Sequence, residues 1–125
     1  MPNQNMEILV VDDVSSLRTI MRVLLRKMGY DRVSEAANGS DAFEILRKKK
    51  IDLIISDWNM PEMNGYELLK SVREDSDLSD IPFIMITAET CGSKVAMALQ
   101  LKVNQFILKP FSLQVLEEKI NMVVH

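Results

Sequence analysis

The chain has 125 residues, 47% of them hydrophobic and 26% charged, with a formal net charge of −3. That length is one ordinary domain with a real core, in the balance of a soluble globular protein. The acidic charge without a basic stripe argues against nucleic acid as a partner, and no apolar run approaches the ~20 residues of a membrane span. Cys91 is the only cysteine, so no internal disulfide can form. The N-terminus lacks a basic n-region and a small-residue cleavage site, and with the lone thiol this points to the cytoplasm.

The elements follow in chain order. Glu7–Val11 is a short apolar run closed by Asp12 and Asp13, and it reads as a first buried strand. Asp13 is placed to cap the helix that follows. Val14, Leu17, Ile20, Met21, Leu24, Leu25 and Met28 recur there at helical steps, with Arg18, Arg22, Arg26 and Lys27 on the other face. Gly29 ends that helix. Val33–Ala37 reads as a strand near a sheet edge. Asn38-Gly39 reads as a turn, and Ser40 or Asp41 as the cap of a second helix through Leu46. Lys48–Lys50 is a solvated helix end.

Asp52–Asp57 is a central strand, β-branched and apolar without alternation, ending in Asp57. Pro61 forbids its continuation, and Asn64-Gly65 turns the chain into a third helix with Tyr66, Leu68, Leu69 and Val72 inward. Glu74–Asp80 reads as an acidic loop without apolar content. Pro82 opens a fourth strand ending at Thr87, and Lys94–Leu101 reads as an Ala-rich helix. Gln105–Leu108 is a fifth strand, ended by Lys109-Pro110. Ser112 caps a last helix with Val115, Leu116, Ile120 and Val123 inward. Most of the nine methionines fall at core spacing, and Trp58 reads as a bystander beside Asp57. His125 is terminal and is given no chemistry.

Five alternations of strand and helix predict an α/β domain: a doubly wound parallel sheet covered by helices on both faces. Asp12, Asp13, Asp57, Thr87 and Lys109 then share the carboxyl edge of that sheet, where ligands of such folds bind. Taken singly, each has an ordinary structural role as cap, turn former or surface charge. Their joint placement at four strand ends points to chemistry. Gathered carboxylates repel, and a hard divalent cation such as Mg²⁺ resolves the repulsion. A hydroxyl and an ammonium suit the oxygens of a phosphoryl group, so Asp57 is the candidate nucleophile for an aspartyl phosphate.

The motifs LVVDD (Leu9–Asp13), SDWNMPEMNG (Ser56–Gly65), ITAE (Ile86–Glu89) and KPF (Lys109–Phe111) together resemble a response-regulator receiver domain, closely the single-domain chemotaxis type. The resemblance spans the whole chain. It implies one receiver domain over 1–125 without an output domain, on a flavodoxin-like five-stranded sheet of order 2-1-3-4-5 with five helices. It implies Asp57 as phosphoacceptor, Thr87 and Lys109 on the phosphoryl oxygens, and Mg²⁺ held by Asp12, Asp13, Asp57 and the Asn59 carbonyl. It implies that Asn59 and Glu89 tune dephosphorylation and that Lys109–Pro110 is cis. The implied donor is a sensor histidine kinase or a small acyl phosphate. The implied partners are the flagellar motor-switch protein and a phosphatase, bound by a cytoplasmic monomer that needs neither nucleic acid nor membrane.

The family's partner surface maps here to Val95, Leu99, Phe106 and Lys119. Two departures touch it. Phe106 stands where motor-binding members usually carry Tyr, and Leu101-Lys102-Val103 replaces a small residue, Gly and Ala. Without Gly, the fourth helix is expected to end differently or run on. These departures keep open an alternative, a receiver that never binds the motor and drains phosphoryl groups from a shared kinase or serves another output. An aspartyl-phosphate phosphohydrolase is disfavoured, because Asn59 stands where such an enzyme needs an acidic proton donor. A nucleotide- or flavin-binding module is disfavoured too, because DDVSS is not a phosphate-binding loop.

Overall fold

Unbroken apolar runs become strands here because helices cover both faces of the sheet. The computed structural model describes residues 5–88 and 92–124. In chain order the elements are β1 (Ile8–Val11), α1 (Ser15–Lys27), β2 (Val33–Ala36), α2 (Gly39–Lys48), β3 (Leu53–Asp57), α3 (Gly65–Glu74), β4 (Phe83–Thr87), α4 (Gly92–Gln100), β5 (Gln105–Leu108) and α5 (Leu113–Val124). Every strand pair is parallel, in the order β2-β1-β3-β4-β5. The alternating side chains of each strand divide between two cores. Ile8, Val10, Leu53, Ile55, Ile84 and Ile86 pack with Met21 and Leu25 of α1 and Leu116 and Ile120 of α5. Leu9, Val11, Ile54 and Met85 pack with α2, α3 and Ala98 of α4. The sheet is thus doubly wound, and its order reverses between β1 and β3, which opens a crevice at their carboxyl ends.

Several local expectations need correction. Asp13 does not cap α1; Val14 occupies the cap without a side-chain bond, and Asp12 Oδ1 accepts from Val14 N at 2.9 Å. The apolar stripe of α1 is only half covered. Met21, Leu25 and Met28 are buried, but Val14, Leu17 and Ile20 are 43%, 39% and 53% exposed. The cap of α2 is Asn38, which accepts from Asp41 N, so Asn38-Gly39 opens the helix instead of preceding it. Asn64-Gly65 does lead into α3 as expected, with Asn64 capping it in a reciprocal box with Glu67. The loop after α3 does hold an apolar anchor, the buried Leu78. Lys49 is not merely solvated; it lies 3.2 Å from Glu7 and donates to Ser34. Val115 of α5 is exposed, while Ser112 caps that helix as expected.

The fourth helix does end in a left-handed residue, although no Gly is present. Lys102 takes φ 60°, its N–H donates to Leu99 O at 3.0 Å, and Val103 N donates to Ala98 O at 3.2 Å. That is the bond pattern of a Schellman end with Lys in the place Gly usually fills. The Lys109–Pro110 bond is cis.

Candidate functional site

Sheet register assembles the site. Val11 lies opposite Ser56, so the next residues, Asp12 and Asp57, emerge side by side. Asp57 lies opposite Ile86 and Thr87 opposite Leu108, which brings Thr87 and Lys109 to the same edge. Asp12, Asp13 and Asp57 each offer a carboxylate oxygen within 4.8 Å of the others. Lys109 Nζ lies 3.1 Å from Asp57 Oδ2. The other oxygen of Asp57 accepts from Trp58 N at 2.9 Å, so the carboxylate is held at both ends. Asp57 and Thr87 are 7% and 5% exposed. Asp13 and Asn59 are exposed, and with Met60, Pro61 and Asn64 they line an open depression beside the buried pair.

The electrostatics follow from this crowding. Asp12 is 9% exposed, and burial pushes its carboxyl above the usual range. The Val14 amide and Lys109 oppose that shift, while Asp57 and Asp13 add to it. Arg18 ties the loop down by donating to the Asp12 carbonyl at 2.6 Å and to Glu35 at 3.1 Å. The donor set is all oxygen, acidic, and open on the Asp13 side, which fits a hard cation that keeps some of its water. A carboxyl raised by folding favours the protonated folded state, so an ionised Asp12 weakens the metal-free protein near neutral pH. Asp12→Asn should therefore raise the metal-free melting temperature by about 4 °C for each 1 kcal/mol relieved. If the cluster holds a divalent cation, the variant should also gain less stabilisation from added Mg²⁺ than the wild type. Thermal melts with and without millimolar Mg²⁺ check both signs.

The surroundings carry features that the sequence did not reveal. Trp58 is buried, stacks on Tyr66 at 5.6 Å between centroids, and has Lys94 Nζ 5.4 Å above its ring. It is therefore a link from the Asp57 loop to α4 rather than a bystander. A cavity of about 520 Å³ runs from Asp57 and Lys109 along α1, walled by Leu17, Ile20, Leu24 and Phe111. Leu17 and Ile20 of the exposed α1 stripe form its rim. Of the surface expected around α4, β5 and α5, Leu99 is exposed, and Val95, Phe106 and Lys119 are half-buried. Lys119 donates to Gln105 of β5, and Phe106 packs on the α2–α3 core. Glu89 lies outside the described residues.

A parallel five-stranded sheet with an acidic carboxyl edge and a lysine paired to the central aspartate defines a class, and residues 8–121 match the response regulator receiver domain. The chain belongs to that family, among its chemotaxis response regulators. It is 43% identical to chemotaxis protein CheY-3 of Vibrio cholerae over 121 residues, covering 97% of this chain and 93% of the relative. It is 48% identical to chemotaxis protein CheY1 of Helicobacter pylori over 120 residues, covering 95% of this chain and 97% of that one. The solved structure of Vibrio cholerae CheY4 superposes with a TM-score of 0.89 at 34% identity, covering 95% of this chain and 98% of that chain. Among the described residues no helix is long and apolar enough to cross a membrane.

Proposed function

We propose that Asp57 accepts a phosphoryl group from a histidine kinase and that the resulting aspartyl phosphate switches binding of a partner on α4, β5 and α5. The carrying observation is the acidic cluster within 4.8 Å together with Lys109 Nζ 3.1 Å from Asp57. An oxygen of Asp57 attacks phosphorus as the bond to the donor imidazole breaks, and the electron pair leaves with the imidazole. Lys109 then exchanges its carboxylate partner for a phosphoryl oxygen, and the Thr87 hydroxyl stands on the next strand to meet another. Asp13, Asp57, the Asn59 carbonyl and, more remotely, Asp12 would hold Mg²⁺, which would neutralise charge as the phosphoryl group passes from the imidazole nitrogen to the carboxylate oxygen. Asn59 offers no acidic proton to speed hydrolysis, which fits a switch better than a hydrolase.

The rim of α1 supports a protein donor over a small one. Val14, Leu17 and Ile20 stand exposed beside the mouth of the site, and a folded donor can cover apolar surface that a small acyl phosphate leaves wet. Ile20→Asp should slow transfer from the cognate kinase at least tenfold while leaving the acetyl phosphate reaction within twofold. Equal slowing of both would place Ile20 in the chemistry instead.

The output is tested with the N-terminal peptide of the flagellar motor-switch protein, with Mg²⁺ alone and then with beryllium fluoride. Tighter binding with the mimic supports a motor-acting regulator. Equal weak binding, while Trp58 fluorescence reports the mimic bound, supports a phosphoryl sink or another output.

A further inference from the structure

Arg73 uses every donor it has, and its acceptors lie at the opposite edge of the sheet from Asp57. It stands in the last turn of α3. Its Nε donates to Leu101 O at 3.1 Å. Nη1 donates to Ser79 O at 3.1 Å and to Ile81 O at 2.7 Å. Nη2 donates to Lys102 O at 3.0 Å and to Asn104 Oδ1 at 3.1 Å. A guanidinium carries five N–H groups in a rigid fork, and all of them are matched here. Asn104 continues the clamp into the sheet, since the same Oδ1 accepts from Phe83 N and its own N–H donates to Phe83 O.

The acceptors concentrate on the end of α4. Leu101 and Lys102 carry the turn that stops the helix, and Lys102 is the residue in the left-handed region without Gly to ease it. Arg73 takes up the carbonyls of both. Elsewhere α4 buries little apolar surface among the described residues. Ala98 is its only buried side chain among those described, whereas α3 buries Leu68, Leu69 and Val72. A further tether is Lys94 over Trp58, next to Asp57. A helix with so little buried apolar surface belongs to the low-stability part of a fold, the part that moves. The clamp and Asp57 are separated by the length of β4, roughly 13 Å at the usual strand rise.

We propose that Arg73 is a positioning residue that fixes the C-terminal end of α4 as a pivot, so that events at Asp57 move the N-terminal half of the helix. This rests on the reading of Asp57 as phosphoacceptor and of α4, β5 and α5 as the partner surface. Phosphoryl chemistry does not touch Arg73, but the arrangement of that surface depends on it.

Hydrogen exchange on the full chain tests the pivot, with Mg²⁺ alone and with Mg²⁺ and beryllium fluoride. In the wild type the mimic should change exchange in the first half of α4 and leave the Leu99–Val103 amides protected. Arg73→Ala should speed those amides at least tenfold and spread the change over the whole helix, with acetyl phosphate labelling within twofold of wild type. Arg73→Lys should behave like Arg73→Ala, because one ammonium cannot span five acceptors. Adding Lys102→Gly to Arg73→Ala should restore most of the protection by removing the left-handed cost. Unchanged exchange in Arg73→Ala, loosening of α1 to α3 as large as that of α4, or no rescue by Lys102→Gly would overturn the pivot. If Arg73→Ala does not fold, Asn104→Ala removes one acceptor of Arg73, together with its bond to Phe83 N, and should speed Lys102 and Val103 exchange about threefold; no change there also overturns it. Failure of the wild type to gain a phosphoryl group from acetyl phosphate would instead sink the phosphoacceptor reading, and the exchange arms with Mg²⁺ alone would still judge the clamp.

Discussion

Asp57→Asn should gain no phosphoryl group from acetyl phosphate, while the wild type gains one by intact mass. The amide is neutral and has no anionic oxygen to attack phosphorus, so the expected loss is complete on the time scale of the assay. The fold should survive. Asp57 sits among carboxylates, and its charge raises the Asp12 carboxyl, so removing it relieves repulsion at the sheet edge. The substitution also breaks the 3.1 Å pair with Lys109, but Lys109 is partly exposed and water can take over its solvation. An unchanged or higher melting temperature alongside the lost adduct isolates chemistry from stability. An adduct on the variant would move the acceptor to Asp12 or Asp13, the two neighbouring carboxylates that can reach the same donor.

The acidic edge was legible because its residues stand at or just beyond the ends of short apolar runs. Asp12 after Val11, Asp57 after Ile55 and Ser56, and Lys109 after Leu108 are readable as strand ends before any register is known. Register itself was not legible; that Val11 faces Ser56 and Thr87 faces Leu108 depends on long-range pairing. Helical periodicity marked the stripe of α1 correctly but could not say which part of it a neighbour covers. Leu17 and Ile20 open onto a cavity instead of a helix. The Asn38-Gly39 pair misled for a related reason, whereas Asn64-Gly65 leads into α3 as expected. Asn38 and Asn64 are good turn formers and good helix caps, and only the backbone that follows decides between the two. The left-handed Lys102 was the hardest to foresee. Its local sequence argues against that conformation, and the compensation comes from Arg73, 29 residues away.

Gly65→Ala should damage both the fold and the site, because a methyl group there has no space. A Cβ on Gly65 would run into the Asp57 carbonyl oxygen and come within 2.9 Å of Met85 Sδ and 3.0 Å of Trp58 Cα. The thioether can yield, but the other two contacts are backbone and cannot without moving the end of β3. Gly65 N also donates to Trp58 O at 2.9 Å, and the Asn64–Glu67 box fixes the start of α3, so the helix cannot simply slide. Overpacking of this kind costs ~1–3 kcal/mol. At this chain length that corresponds to a melting temperature lower by roughly 4–12 °C. The displaced backbone carries Asp57, Trp58 and Asn59, so the Mg²⁺ response of Trp58 fluorescence should weaken at least tenfold in apparent affinity. Gly29→Ala supplies the contrast. Gly29 has φ 97° and stands beyond the end of α1, away from the carboxylates. Its replacement should cost about 1 kcal/mol through backbone strain and leave the Mg²⁺ titration unchanged. A Gly65→Ala protein with wild-type melting and a wild-type Mg²⁺ titration would mean that β3 and α3 approach less closely than these contacts require.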